Sequence, residues 1–275
     1  MPRTAPYGSW PSPITAELIT SGITGLAALC SNGHALFWLE SRPEENGRNT
    51  LITLRDGKRR ELTPAPFNVR TRVHEYGGGA YHATTTDIFF VNFIDQNIYR
   101  VSLSGGIPVA VTHTDENTRY ADFIFDALRA RLIAVGERPG DSERENCLVS
   151  IDAQNGRSID LHRGHDFYAA PRMSPDGRRL CFLSWDHPNM PWDGTQLHVA
   201  TFADDGSLTA AMIVAGGAAE SIVQPEWLTS ERLLFASDQN GFWNLYSYDA
   251  SGIYCVYPDA AEYAGPAWAF GTRYY

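Results

Sequence analysis

Ser174-Pro175-Asp176-Gly177-Arg178-Arg179-Leu180-Cys181-Phe182-Leu183 reads as a tight turn running into a short apolar strand. Arg232-Leu233-Leu234-Phe235-Ala236-Ser237-Asp238-Gln239-Asn240-Gly241 sets a similar strand against a polar, glycine-ended tip. Around these stretches the chain repeats one phrase five times: a short aromatic or β-branched strand, a polar tip, a second strand ending in Asp/Ser-x-x-Gly, then a third. Short strands and glycine turns at a period of ~40–50 residues specify the four-stranded blades of a β-propeller.

Working outward, the innermost strands align as Gly79-Ala80-Tyr81, Asp122-Phe123-Ile124, Pro171-Arg172-Met173, Pro225-Glu226-Trp227 and Pro266-Ala267-Trp268, spaced by 43, 49, 54 and 41 residues. Second strands repeat in step at Leu36-Phe37-Trp38, Ile88-Phe89-Phe90, Leu132-Ile133-Ala134, Leu180-Cys181-Phe182 and Leu233-Leu234-Phe235. Their unbroken apolar character suits strands covered on both faces by neighbouring blades. Third strands alternate more visibly, as in Asn97 to Leu103, and lead into Asn155-Gly156, Asp205-Gly206 or Ser251-Gly252, which supply the positive φ of a hairpin. Fourth strands such as Arg60-Glu61-Leu62-Thr63 are charged, as a solvated edge requires. No segment carries ten residues of helical periodicity with a cap and a stop, so the reading is all-β and TolB-like. Blades are expected at residues 19–64, 69–113, 118–164, 167–216 and 220–258, with the first strand of a sixth after Glu262. On this reading residues 1–275 are one incomplete propeller domain, truncated at its C-terminus.

Composition narrows the function. The 275 residues are 43% hydrophobic, enough for a large core. Lys and Arg number 22 against 32 Asp and Glu, a net charge of −10, and the basic residues cluster only at Lys58-Arg59-Arg60. Attraction to phosphate is therefore weak, which argues against nucleic acid or an anionic membrane as partner. The N-terminal stretch from Met1 to Pro11 lacks the apolar run of a signal peptide, and a cytoplasmic location is the default expectation. Cys30, Cys147, Cys181 and Cys255 lie far apart without ligand spacing and read as small buried hydrophobes rather than metal ligands or catalytic thiols. No cofactor is called for.

Tyr7-Gly8-Ser9-Trp10-Pro11-Ser12-Pro13-Ile14-Thr15, the phrase Arg72-Val73-His74-Glu75-Tyr76-Gly77-Gly78-Gly79-Ala80-Tyr81, and above all Trp185-Asp186-His187-Pro188-Asn189-Met190-Pro191-Trp192-Asp193 bear a further message. Together they resemble the N-terminal propeller of prolyl oligopeptidase family serine peptidases, in the dipeptidyl and acylaminoacyl peptidase-like branch. The resemblance covers essentially the whole chain. It implies a C-terminal α/β-hydrolase domain carrying a Ser-Asp-His triad, with the propeller capping it and filtering substrates by size. The serine of such a triad needs a strained G-x-S-x-G turn, and no such sequence occurs here. Gly156-Arg157-Ser158-Ile159-Asp160 has Asp where the second glycine belongs. No catalytic residue is assigned, and the chain alone is expected to be inactive.

Two segments carry the candidate binding residues. Arg72, His74, Glu75 and Tyr76 precede the first strand of blade two, where a carboxylate could hold a peptide ammonium and a guanidinium a peptide carboxylate. The structural alternative pairs Glu75 locally with Arg70 or Arg72 while the glycines allow close packing. Asp186, His187, Met190, Trp192 and Asp193 lie on a long, proline-stiffened connection whose apolar members could dock the hydrolase domain. The alternative is a self-packed loop in which Asp186 caps a turn; a metal site there is disfavoured because prolines hold the ligands apart. His162, His165 and Asp166 read as solvated link residues, and Trp227, Trp243, Tyr246 and Trp268 as packing between blades.

Two functions remain open. One is the non-catalytic portion of a serine peptidase, gating and positioning peptides for the hydrolase domain. The other is a free-standing TolB-like propeller that binds a ligand or protein partner.

Overall fold

Each repeat folds as one four-stranded antiparallel sheet in the computed structural model, which describes residues 4–114 and 117–275. Met1, Pro2 and Arg3 of the N-terminal stretch lie outside the described residues. Blade one joins β1 (Gly25–Ser31), β2 (Leu36–Arg42), β3 (Arg48–Arg55) and β4 (Lys58–Glu61). Blade two joins β5 (Tyr81–Ala83), β6 (Asp87–Val91), β7 (Ile98–Ser102) and β8 (Val109–Ala110). Blade three joins β9 (Arg119–Asp126), β10 (Arg131–Pro139), β11 (Arg144–Asp152) and β12 (Ser158–His162). Blade four joins β13 (Phe167–Met173), β14 (Arg179–Trp185), β15 (Gln196–Thr201) and β16 (Met212–Gly216). Blade five joins β17 (Ile222–Trp227), β18 (Leu233–Ser237), β19 (Asn244–Asp249) and β20 (Gly252–Cys255). The one α-helix among the described residues is α1 (Ala16–Thr20), whose Leu18 N–H donates to Thr15 Oγ1. It is far too short to cross a membrane.

The deciding stretch forms the turn between β13 and β14. Ser174 Oγ donates to Asp176 Oδ1 at 2.6 Å and accepts from Arg179 N–H at 2.9 Å, while Gly177 takes φ +69° and its N–H reaches Ser174 O. Gly177 also makes room for Leu128: a Cβ there would lie 2.4 Å from Leu128 Cδ1.

Period-two alternation explains why the second strands are apolar throughout. On β10, Leu132 and Ala134 enter the core shared with blade two, while Ile133 and Val135 enter the core shared with blade four. On β14, Leu180 and Phe182 face blade three, and Cys181 and Leu183 face blade five. Side chains on successive residues point to opposite faces, so a strand between two neighbours must be apolar on both. Each such buried Leu, Ile or Phe contributes about 2 kcal/mol of transfer free energy.

A feature invisible in the periodicity recurs in the innermost strands. Ala28, Asp122, Ala170 and Gln224 all adopt left-handed φ of 45–53°, and at each the register with the second strand shifts, skipping two residues. These are β-bulges, and two of them hold Pro171 and Pro225, whose missing N–H needs no ladder partner there. Gly79 takes the equivalent conformation just before β5, at φ +55°. The bulges interlock: Asp122 N–H donates to Gly79 O at 2.9 Å, and Ala170 N–H to Asp122 Oδ2 at 2.6 Å.

Residues 266–268, expected to open a sixth blade, form no strand. This segment is held by other contacts. Phe270 makes a parallel bridge to Gly78, and Gln224 holds the backbone of Tyr274 and Tyr275 through its side-chain amide.

Candidate functional site

The loop before β5 is built by backbone conformation first. His74 and Glu75 take φ of +53° and +64°, and after Tyr76 the three glycines Gly77, Gly78 and Gly79 return to positive φ. A Cβ on Gly78 would fall 2.4 Å from Phe270 O, and one on Gly79 would fall 2.8 Å from Asp122 Cα. Only glycine permits both approaches.

One guanidinium gathers this loop. Arg119 Nη1, at the start of β9, donates to Arg72 O at 2.9 Å, to Glu75 Oε1 at 2.6 Å and to Glu137 Oε1 at 3.0 Å. Glu137, only 3% exposed, also accepts the His74 N–H at 2.8 Å and lies 3.4 Å from Arg144. Glu75 therefore pairs with Arg119, not with Arg70 or Arg72. Those two arginines instead place their guanidinium carbons 5.0 and 4.5 Å from the Phe93 ring centroid. The Arg119 bond holds the Glu75 carboxyl below its ordinary pKa.

His74 enters an aromatic box. Its ring lies 4.8 Å from Phe270, 5.0 Å from Phe167, 5.5 Å from Tyr76 and 5.8 Å from Trp185, with Nδ1 2.9 Å from the Tyr76 hydroxyl. Burial lowers the His74 pKa to about 4, against a smaller opposing pull from Asn146, and raises that of Tyr76 to about 12. Both are neutral at pH 7. Tyr76 also borders a small apolar cavity of about 50 Å³ together with Trp185, Pro191, Phe270 and Tyr274.

That cavity joins the second candidate segment to the first. The 186–193 loop connects β14 to β15 and is held at several points. Asp186 accepts from His165 Nδ1 and Asp166 N–H, and Asp166 Oδ2 reciprocates toward the His187 N–H and Nδ1, each at 2.8–2.9 Å. Asp193 caps the turn, accepting the Met190 N–H at 2.9 Å, so Asp186 is a strut between segments and not the turn cap. Met190 is exposed, and Trp192 packs against Trp268 with centroids 4.4 Å apart. Trp268, expected in the core between blades, is 67% exposed on this face. Asp186, His187 and Asp193 do not converge on a common point, and no metal-holding cluster occurs among the described residues. His162, His165 and Asp166 are not simply solvated either, since all three are bonded into the seam with blade four.

Sequence reasoning missed Arg119, Glu137 and the Phe167, Trp185 and Phe270 walls. Nothing local marked Arg119, which sits 44 residues from Glu75. The inner strands also enclose a cavity of about 320 Å³ along the axis, edged by Asp122, Arg172, Glu226 and Arg273 in alternating charge.

A buried Ser184 Oγ lies 2.8 Å from His198 Nε2. This is no nucleophile: Ser184 is 0% exposed within the regular ladder of β14, away from any strand-to-helix turn.

Neither family models nor curated proteins produce a match to the sequence. Solved structures do. A puromycin-hydrolyzing peptidase of Mycobacterium tuberculosis superposes with a TM-score of 0.88 over 98% of this chain, at 37% identity. A puromycin hydrolase gives the same score and coverage at 34% identity. The chain belongs to the prolyl oligopeptidase family, as its N-terminal propeller. It spans 44% of the length of each of these relatives. A putative TolB from Agrobacterium tumefaciens, at 14% identity and a TM-score of 0.54, shares the fold alone. Within the prolyl oligopeptidase family framework, the loop before β5, the 186–193 loop and the segment ending at Tyr275 share one face, the end at which β13 begins and β14 finishes.

Proposed function

We propose that this chain gates and positions peptide substrates for a C-terminal α/β-hydrolase domain, in a cytoplasmic peptidase of the dipeptidyl or acylaminoacyl type. The reading is carried by one observation: Tyr76 of the 72–76 loop, Pro191 of the 186–193 loop and Phe270 of the C-terminal segment meet around one apolar cavity, with the Trp192–Trp268 pair joining the same two segments beside it. Exposed Met190 and Trp268 there give a partner domain apolar surface, while Glu75 and Arg72 offer charges for peptide termini. The similarity to larger puromycin-hydrolyzing peptidases supports a hydrolase partner. It also disfavours the free-standing binding module.

The test mixes this chain with a separately expressed hydrolase domain from the same family and follows release of aminoacyl chromophores and longer peptides. The propeller should leave cleavage of short substrates intact and suppress that of long ones. Equal turnover of both lengths with and without the propeller, or turnover by the propeller alone, would overturn the proposal.

A further inference from the structure

Three imidazoles meet where blade three packs on blade four. His162 ends β12, His165 lies in the link before β13, and His198 is on β15. Their ring centroids are 6.2 Å apart for His162 and His165, 5.4 Å for His165 and His198, and 5.8 Å for His162 and His198. Each ring is pinned through one nitrogen: His162 Nδ1 to the Tyr168 hydroxyl at 3.0 Å, His165 Nδ1 to Asp186 Oδ2 at 2.9 Å, and His198 Nε2 to Ser184 Oγ at 2.8 Å. Phe182 stacks on His198 at 4.7 Å and closes the apolar side.

The charges around this triangle are unevenly placed. Asp186 is the carboxylate that bonds one of the three rings directly. Asp166 is turned to His187, and Arg163 beside the link pairs with Asp160 and Glu145. Cys147 and Tyr168, the other titratable neighbours, are held protonated by burial. Burial also lowers the pKa of His162, and that of His198 to about 4, with His165 adding to both shifts.

We propose that this triangle is an acid-opened latch on the 186–193 loop. With the rings neutral, the link 163–166 lies flat on blade four, and the reciprocal His165–Asp186 and Asp166–His187 bonds hold the loop down. A second proton sets two cations about 6 Å apart in a half-buried seam where one carboxylate, Asp186, bonds a ring directly. Repulsion is relieved when the link swings outward, and Asp186 leaves with it. The group that takes the second proton is His162 or His198.

Hydrogen exchange of the full chain from pH 7.5 to 5, corrected for intrinsic rates, tests this. Protection of 163–166 and 186–193 should fall by about tenfold or more across that range, the factor equivalent to one pKa unit, while β10 and β14 stay protected. Asp186→Asn should move the opening to higher pH, because the countercharge is lost. His162→Gln should move it to lower pH, because one of the cations is lost. A role in packing alone would shift both variants in the same direction, and that outcome overturns the proposal, as does loop protection that stays flat until the blade cores open. Should a variant fail to fold, the titration of His162 and His198 in the unmodified chain by NMR decides instead. Normal histidine titration at both would overturn the latch, and depressed titration that coincides with loop opening would support it.

Discussion

Arg119 Nη1 lies 2.6 Å from Glu75 Oε1 and thereby ties an exposed loop residue to a buried ion pair, since the same nitrogen also holds Glu137. The two carboxylates have opposite environments, with side-chain exposures of 75% and 3%. Replacing Arg119 by Met leaves Glu137 buried with only the more distant Arg144 beside it, and stability should fall by about 3 kcal/mol. Glu75→Gln loses an exposed, screened partner and should cost less than about 1 kcal/mol. Urea melts of the two variants separate these outcomes; equal losses would show that the loop, and not the buried pair, carries the energy.

Gly79 and Gly33 share positive φ, of +55° and +83°, but differ in what surrounds them. A Cβ on Gly33 meets nothing within 4 Å, whereas one on Gly79 meets Asp122 Cα at 2.8 Å and Asp122 N at 2.9 Å. Gly33→Ala should cost about 1 kcal/mol, the left-handed penalty alone. Gly79→Ala adds a clash with backbone that cannot rotate away, and should cost about 2 kcal/mol more. Thermal unfolding of both tests the interlocked bulges: similar midpoints would mean that the inner strands shift freely.

Asp126, fully buried at the end of β9, clamps blade three to blade four through Arg131 and Arg129, each 3.0 Å from Oδ2. Arg131 then donates to Gly206 O, Arg129 to Gly177 O, and both guanidinium carbons lie within 4.4–5.0 Å of the Phe202 ring centroid. Asp126→Ala strands a buried guanidinium, a loss of about 3 kcal/mol. The clamp is refuted by a denaturation midpoint close to that of the unmodified chain.

The blades were legible because their information is local. Leu180 to Leu183 state a doubly covered strand in four residues, Leu233 and Phe235 state the strand packed beside it, and Gly177 states its turn. The bulges were not, because Ala28, Ala170 and Gln224 carry no side-chain signature for left-handed φ; only Pro171 and Pro225 hinted that the ladder breaks there. The loop residues at 72–76 and 186–193 were named as two separate segments, and nothing local in either marked the other as its neighbour. Their shared face depends on pairings such as His74 with Glu137, 63 residues away, which charge pattern alone cannot rank above a local Arg70 or Arg72. Residues 266–268 show the converse limit: a strand-like sequence becomes a strand only where a partner strand stands beside it.

Acid should destabilise this chain before its carboxylates titrate. His74, His82 and His198 are each lowered by burial from 6.5 to about 4, and for His82 the Arg172 guanidinium adds to the effect. In the unfolded chain they take up protons near pH 6.5, while the folded chain resists until about pH 4. Between those values the unfolded state binds more protons, so stability rises with pH and is lost as pH falls. Near pH 5 the difference should approach three protons, read from the slope of unfolding free energy against pH in urea melts at pH 7, 6 and 5. His82→Asn should lower that slope by about one proton without changing its sign. A flat profile over this window would mean that these rings are protonated in the folded chain, and would remove the neutral, aromatic-boxed His74 from the account of the loop before β5.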